Sequence, residues 1–220
     1  EQIQYTDIWA NDNYLQFMYE RLLLLKELLA DSGTFYIHTD SSRGHHLRCL
    51  LDEVFGADHF KNEIVWYYEN KLSTGGSTFD SFHDTILSYT KGRTWTHNLI
   101  RIPVKEVKKQ PVTQKIEGKR VWLRGKDGKR LYQDSKADRS IGDVWTIPII
   151  NPVASERAGY PTQKPENLLQ RIIIASSDPG DIVLDCFAGS GTTSVSAQQL
   201  GRRWIGCDIN KGAIQTTAKR

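Results

Sequence analysis

Near the end of the chain, Val183-Leu184-Asp185-Cys186-Phe187-Ala188-Gly189-Ser190-Gly191-Thr192-Thr193 sets an apolar run against a glycine turn, and Asp208 closes the next apolar run. The first run reads as a buried strand that delivers the backbone to a turn which must approach a ligand closely. Gly189 and Gly191 lack the Cβ atoms that would block that approach. A helix starting at Thr192 would aim its unpaired N–H groups into the same crevice. Asp208 stands twenty-three residues after Asp185, where a carboxylate at the neighbouring strand end can accept both hydroxyls of a ribose. That is the chemistry of holding an adenosine at the edge of a doubly wound sheet.

Three ligands suit this geometry. A dinucleotide site wants G-x-G-x-x-G/A, but Ser194 stands at the third position and Phe187 crowds the loop that a pyrophosphate would need open. A nucleotide P-loop wants a Gly-Lys-Ser/Thr ending that the chain lacks. S-adenosylmethionine carries no phosphate, so a glycine turn without lysine suits it best.

The elements needed to position this turn alternate between helices and strands. Asn11, Asp12 and Asn13 offer N-caps to a helix from about Tyr14 to Ala30, and Gly33 stops it. Thr34–Thr39 reads as a strand, and Ser42–Phe55 as a helix with Leu47, Leu50, Leu51 and Val54 on one face. Strands follow at Ile64–Tyr68 and Asp84–Thr90, separated by a flexible loop around Gly75-Gly76. Pro165 opens a helix through about Ser176; then come the strand Asp181–Asp185, a helix Thr192–Leu200, the strand Arg203–Asp208 and a last helix near Lys211. The pattern predicts an α/β fold with a largely parallel sheet. A chain of 220 residues buries roughly 70% of its unfolded surface, enough for one sizeable core.

Charge is unevenly placed. Between Lys91 and Arg139 fifteen Lys and Arg face five Asp and Glu, a local excess of +10 in a chain whose net charge is +3, so the remainder is acidic. Val121–Arg124 and Arg130–Tyr132 flank Asp127-Gly128, a β-hairpin signal, because Asp-Gly supplies the positive φ of tight hairpin turns. A small basic β-rich insert on an acidic body is what a polyanion-binding surface would look like, with Lys108, Lys109, Lys119, Arg120 and Arg124 as its candidate phosphate contacts. No apolar run approaches the ~20 residues of a membrane span, and no signal peptide opens the chain. Cys49, Cys186 and Cys207 form no CxxC pair and read as small core residues of a reducing, cytoplasmic setting. His45 and His46 should point apart on their helix, and no metal site is expected.

Tyr160-Pro161-Thr162-Gln163-Lys164-Pro165, then Phe187-Ala188-Gly189-Ser190-Gly191, then Gly206-Cys207-Asp208-Ile209-Asn210 resemble, in that order, motifs of β-class DNA amino-methyltransferases. The body from Asn13 to Phe60, with Gly33 to Asp40, is similar to the segment those proteins carry after their catalytic motif. Within the class the chain most resembles modification subunits of type III restriction systems. The resemblance implies a class I S-adenosyl-L-methionine-dependent methyltransferase fold, Rossmann-like, formed by residues 1–90 and 144–220, with residues 91–143 as target-recognition insert. It implies that Asp185, Phe187, Ala188, Gly189, Ser190, Gly191 and Thr192 line the cofactor, that Asp208 holds its ribose, and that Tyr160, Thr162 and Lys164 close the pocket. Cys186 departs from the proline usual there, which alters turn stiffness rather than ligand chemistry. The implied partner is double-stranded DNA, modified at an exocyclic amine (adenine N6 in preference to cytosine N4). A restriction subunit and a homodimer follow from the same likeness.

The family's catalytic motif, [DNS]-P-P-[YFW], has no counterpart, since the chain contains no Pro-Pro. That motif matters because an exocyclic amine is a poor nucleophile, and its lone pair must be localised and aimed at the methyl group while the base is flipped out and stacked. His38, Asp40 and Trp66 do not stand at a matching position. The resemblance places the motif upstream of Tyr5–Trp9 and therefore of Glu1, and this chain alone is expected to transfer no methyl group. Two readings from other classes stay open: a non-catalytic nucleic-acid-binding module on the same fold, and an NAD-dependent oxidoreductase, which Ser194 disfavours. Methylation of RNA or protein is disfavoured only by the body's likeness.

Overall fold

Six side chains, Leu22, Leu51, Val54, Phe55, Leu87 and Tyr89, make one buried cluster, and the elements that carry them frame the molecule. The computed structural model describes residues 11–73 and 75–220; the Tyr5–Trp9 segment lies outside them. Helix α1 (Asn11–Leu28) leads to strand β1 (Thr34–Thr39), helix α2 (Gly44–Phe55), strand β2 (Phe60–Tyr67) and strand β3 (His83–Thr90). Asn11, Asp12 and Asn13 lie inside α1 rather than ahead of it as caps. Gly56, at φ +96°, stops α2 and donates its amide to the Asp52 carbonyl at 3.0 Å, a left-handed step that a side chain would resist.

The chain divides into two compact units, one running to Asn98 and resuming at Gly142, the other Leu99–Ile141. The smaller unit holds β4 (Arg101–Pro103), β5 (Lys109–Pro111), β6 (Thr113–Ile116), β7 (Lys119–Trp122), β8 (Tyr132–Asp134) and β9 (Asp138–Ser140). They pair antiparallel as β4–β9, β5–β8 and β6–β7. The Asp127-Gly128 turn forms, with Gly128 at φ +75°, but its ladder is a single Arg124–Arg130 bridge. The longer hairpin turns instead at Glu117-Gly118, between β6 and β7. No residue of this unit is buried, so its nested hairpins are held by backbone ladders and surface pairs. These include Arg130 stacked 3.6 Å over the Trp122 ring and Arg101 forked onto Asp138.

In the larger unit the chain continues through β10 (Val144–Thr146), α3 (Glu166–Ser176), β11 (Ile182–Asp185), α4 (Thr192–Gln199), β12 (Arg203–Gly206) and α5 (Lys211–Lys219). One sheet has the order β1-β3-β2-β10 and the other is the parallel pair β11-β12. The expectation of a largely parallel sheet is corrected here, because β3 runs antiparallel to both β1 and β2. Alternating apolar residues mark a strand and leave its direction undetermined. Leu87 and Tyr89 face α1 and α2 with Phe35 and Ile37, whereas Tyr36, on the opposite face, meets Ser176 of α3 at 2.5 Å. Pro165 caps α3 rather than sitting in its first turn, and at the other end Asn98 and Arg202 donate to the carbonyls that α3 leaves unpaired. Strand β11 is not buried as expected: Ile182 and Leu184, which share one face, are exposed.

The cysteines are not core residues either, since Cys49 and Cys207 are exposed and Cys186 is partly so. Their positions follow the strand ends and helix face that carry them. The rings of His45 and His46 do not point apart; their centroids lie 3.9 Å from one another, because adjacent side chains near a helix start can lean together. Leu51→Ala should lower the unfolding free energy by about 3 kcal/mol, the cost of a buried leucine deletion that the surroundings cannot fill. Urea unfolding followed by circular dichroism measures it, and a loss below about 1 kcal/mol would show a loosely packed centre.

Candidate cofactor site

Asp185, the last residue of β11, fixes the turn that follows it. Its carboxylate accepts the Phe187 amide at 3.0 Å and the Thr193 hydroxyl at 2.5 Å, tying the turn to the first turn of α4. Gly189 and Gly191 then take φ +53° and +77°, left-handed conformations that favour glycine. A Cβ on Gly191 would stand 2.6 Å from the Thr217 side chain, and one on Gly189 would stand 3.3 Å from the Tyr160 ring. The turn is thus packed by α5 behind and by Tyr160 beside it. Asp208, just past β12, accepts the Gly189 amide at 2.8 Å on one oxygen and the Asn210 amide at 2.8 Å on the other.

Each carboxylate oxygen has a second lone-pair direction beyond the one used, so Asp208 can still accept hydroxyl groups while its position is held by two backbone amides. Ser190 and Thr192 are buried, their hydroxyls 3.2 Å apart. Arg220, which the sequence alone did not mark, donates to the Ser190 carbonyl and Thr192 hydroxyl and pairs with Glu166 of α3 at 2.7 Å. The only sequence signal for it is a basic residue at the end of an amphipathic helix, which is ordinary. Ala188 is buried and Phe187 is half exposed. Residues 187–192, Asp208 and Tyr160 therefore come together around one turn. Thr162 is exposed and its carbonyl accepts from the Lys164 ammonium at 3.4 Å.

A second polar group lies on the α3-side face of the four-stranded sheet. The strand register puts Trp66 opposite Asp84 and His38 opposite Ile86, so His38, Asp84, Trp66 and Tyr68 share one face. His38 Nε2 lies 2.9 Å from one Asp84 oxygen, and the Tyr68 hydroxyl donates to the other at 3.4 Å. Burial raises the Asp84 carboxyl, but the His38 bond and charge, with the charge of Lys164, outweigh it and hold it below the usual carboxylate range. The Tyr68 phenol is pushed up to about 12 by burial and by the Asp84 charge. Burial also lowers Lys164 from the ordinary lysine value, with the Asp84 charge opposing. In the sequence His38, Asp40 and Trp66 stand as isolated residues; the β1–β3 register that joins His38 to Asp84 is not readable from spacing.

The expected DNA contacts are arranged on the small unit as follows. Lys108 and Lys109 lie at the start of β5, with the Lys108 amide donating to Ser135. Lys119 and Arg120, adjacent on β7, face opposite sides of the hairpin, Arg120 lying across from Lys115. Arg124 donates to the Gly128 carbonyl at 2.7 Å, so it also closes a turn. No group of His, Cys, Asp and Glu able to hold a metal ion occurs among the described residues, and no described helix is long and apolar enough to cross a membrane.

The family model described as DNA methylase (N6_N4_Mtase) matches residues 1–219. The type II methyltransferase M.EcaI of Enterobacter cloacae is 32% identical over 98% of this chain and 59% of its own length. The DNA adenine methyltransferase YhdJ of Escherichia coli K12 is 32% identical over 97% of this chain and 69% of its own. For the type II methyltransferase M.HpaI of Haemophilus parainfluenzae the figures are 34%, 98% and 62%. The chain thus spans about three fifths to two thirds of the length of these relatives. Among solved structures, the M1.HpyAVI–SAM complex superposes with a TM-score of 0.63 at 21% identity, over 96% of this chain and 84% of that one. The cytosine-N4-specific PvuII DNA methyltransferase gives 0.66 at 15% identity, over 99% and 74%.

Because the Asp84 carboxyl is lowered in the folded state, its contribution to stability is complete above the ordinary aspartate value near pH ~4 and fades as pH falls through the folded value. Asp84→Asn should therefore be less stable than the unaltered chain at pH 7, and the gap should close on acidification below pH ~4. Urea midpoints across that range measure it; a gap independent of pH would show that the carboxylate's charge contributes nothing.

Proposed function

The chain belongs to the DNA methylase family and carries the class I methyltransferase α/β fold, and from that premise we propose that it binds S-adenosyl-L-methionine and serves methyl transfer to an exocyclic amine of a DNA base. The observation that carries the cofactor reading is Asp208, fixed by the Gly189 amide at the mouth of a left-handed glycine turn. That arrangement presents a carboxylate to a ribose, leaves no room for a side chain at Gly191 and only a tight fit at Gly189. A sulfonium cofactor with no phosphate suits a turn that offers no lysine. When bound, it supplies an electrophilic methyl group. Asp185 and residues 187–192 would line its methionine and adenosine, Asp208 would hold its ribose, and Tyr160, Thr162 and Lys164 would close the pocket.

Adenine N6 is the target we favour over cytosine N4. The support is YhdJ, named for adenine, at 32% identity over nearly the whole chain, against 15% for the N4-specific PvuII enzyme. Type II names among the relatives support a restriction–modification setting in the cytoplasm. They lend nothing to the type III assignment, and a restriction subunit or a second copy as partner rests on resemblance alone. Residues 91–143 would be the target-recognition insert, with Lys108, Lys109, Lys119, Arg120 and Arg124 meeting DNA phosphates. The reading of a non-catalytic DNA-binding module differs in one respect: it has no affinity for the cofactor.

Thermal unfolding with S-adenosylmethionine, with NAD, and with Asp208→Ala tests the cofactor reading. At a hundredfold excess over Kd a specific ligand adds ~2.7 kcal/mol, roughly 5–10 °C for a chain of this size. We expect a rise with S-adenosylmethionine alone, abolished in the variant; a rise with NAD instead would overturn the assignment. For the insert, neutralising Lys108, Lys109, Arg120 and Arg124 should flatten the dependence of log K on log salt by about 0.9 for each phosphate that the chain no longer neutralises. An unchanged slope would mark the stretch as solvated surface.

A further inference from the structure

The β6–β7 register sets Thr113 opposite Trp122 and Lys115 opposite Arg120. Side chains alternate along a strand and directly paired residues share a face, so these four stand on one side of the hairpin. Lys119 falls on the reverse side with Ile116 and Val121. Arg130 is tied to the first side, because its guanidinium lies 3.6 Å over the Trp122 ring. Such stacking fixes the plane of the guanidinium and leaves the N–H donors along its edge free to point outward. Neither strand carries an Asp or a Glu. Within this unit the described ion pairs join Arg101 to Asp138 and Lys129 to Asp127, and none reaches Lys115, Arg120 or Arg130. All three side chains are exposed. One side of the hairpin thus gathers three cations with no counter-charge, two of them directly opposed at a cost to strand pairing.

We propose that this side of the β6–β7 hairpin, and not its reverse, lies along the DNA backbone, with Lys115, Arg120 and the Trp122-stacked Arg130 each neutralising a phosphate. This rests on the reading of residues 91–143 as the DNA-contacting insert and narrows it: Lys115 and Arg130 join the contact, and Lys119 faces away from it. The chemistry of the two kinds of cation differs. Lys115 acts as a mobile point charge, whereas Arg130, held flat by the indole, offers a phosphate two parallel N–H bonds. A backbone phosphate between the strands also removes the Lys115–Arg120 repulsion, which gives the paired hairpin a reason to keep both cations.

The test compares the two sides of one hairpin. Fluorescence anisotropy of a labelled DNA duplex, titrated with the full chain at several salt concentrations, reads affinity and the slope of log K on log salt. Lys115→Gln, Arg120→Gln and Arg130→Gln should each weaken binding and flatten that slope by about 0.9, one phosphate apiece. Lys119→Gln removes the same charge one residue away from Arg120 and should leave the slope unchanged. Trp122→Leu keeps every charge, so the slope should stay while affinity falls, and Trp122→Phe, which retains a ring, should restore most of the loss. The altered side chains are all exposed, and circular dichroism checks that each variant keeps its fold. A slope flattened as much by Lys119→Gln as by Arg120→Gln shows that only the total charge of the unit counts, which overturns the proposal. Unchanged slopes in all three cation variants, while the unaltered chain binds with a steep slope, overturn it too and leave the insert reading standing on Lys108 and Lys109. Absence of salt-dependent binding by the unaltered chain overturns the insert reading itself and this proposal with it.

Discussion

The contact on which the candidate site depends is the one between the Asp208 carboxylate and the Gly189 amide. It joins the end of β12 to the turn after β11, two segments that the parallel ladder brings side by side but leaves pointing into solvent. A turn with two left-handed glycines has many accessible conformations, and one fixed anion at its mouth selects among them. Asp185 restrains the same turn from the other end through Phe187 and Thr193. Two carboxylates, one before the turn and one across from it, therefore convert a flexible loop into a shaped edge. Arg220 and Thr217 of the last helix add a third restraint from behind.

That arrangement explains which parts of the site were legible. Glycines at 189 and 191 are demanded by the backbone of the turn, and the carboxylate one strand later bonds that turn, so residue type and spacing were enough to bring the two together. The strand–turn–helix order and the core face of α2 were legible for the same reason, since period and turn chemistry are local. What bonds Asp208 already makes was not legible, because amides leave no mark in a sequence. Nor was the Asp84 cluster, whose members lie forty-six residues apart for His38 and Asp84 and meet only through the β1–β3 register. The cysteines show the converse error: a small sulfur residue beside an apolar run invites a core reading, but Cys207 follows the end of its strand and is exposed.

The four-stranded sheet has two faces with different tasks. One is apolar and packs Leu87, Tyr89, Phe35 and Ile37 against α1 and α2. The other changes character along its length, from Ile64 and Ile86, buried at its middle, to Asp84 and Tyr68 at one end, with His38 opposite Ile86 reaching across to Asp84. Burial near the middle makes the polar end a partly desolvated place, where charges act on each other more strongly than in water. There the imidazole and phenol bonded to the Asp84 carboxylate, with the charge of Lys164, outweigh its burial and hold it below the usual carboxylate range. The same packing that stabilises the fold thus sets the electrostatics of the His38–Asp84–Tyr68 group.

The small unit obeys the opposite rule. It has no buried residue, and isolated two-stranded hairpins are marginal in water. Its β6–β7 hairpin places Lys115 directly opposite Arg120, a like-charge pair that works against pairing, and Glu117 turns at a positive φ that a non-glycine residue resists. Stability alone would remove all three features. A polyanion laid along that face would neutralise both cations and turn their repulsion into attraction, with release of counterions as the gain. A hairpin poor in core and carrying one opposed cation pair therefore fits the polyanion contact proposed for this unit.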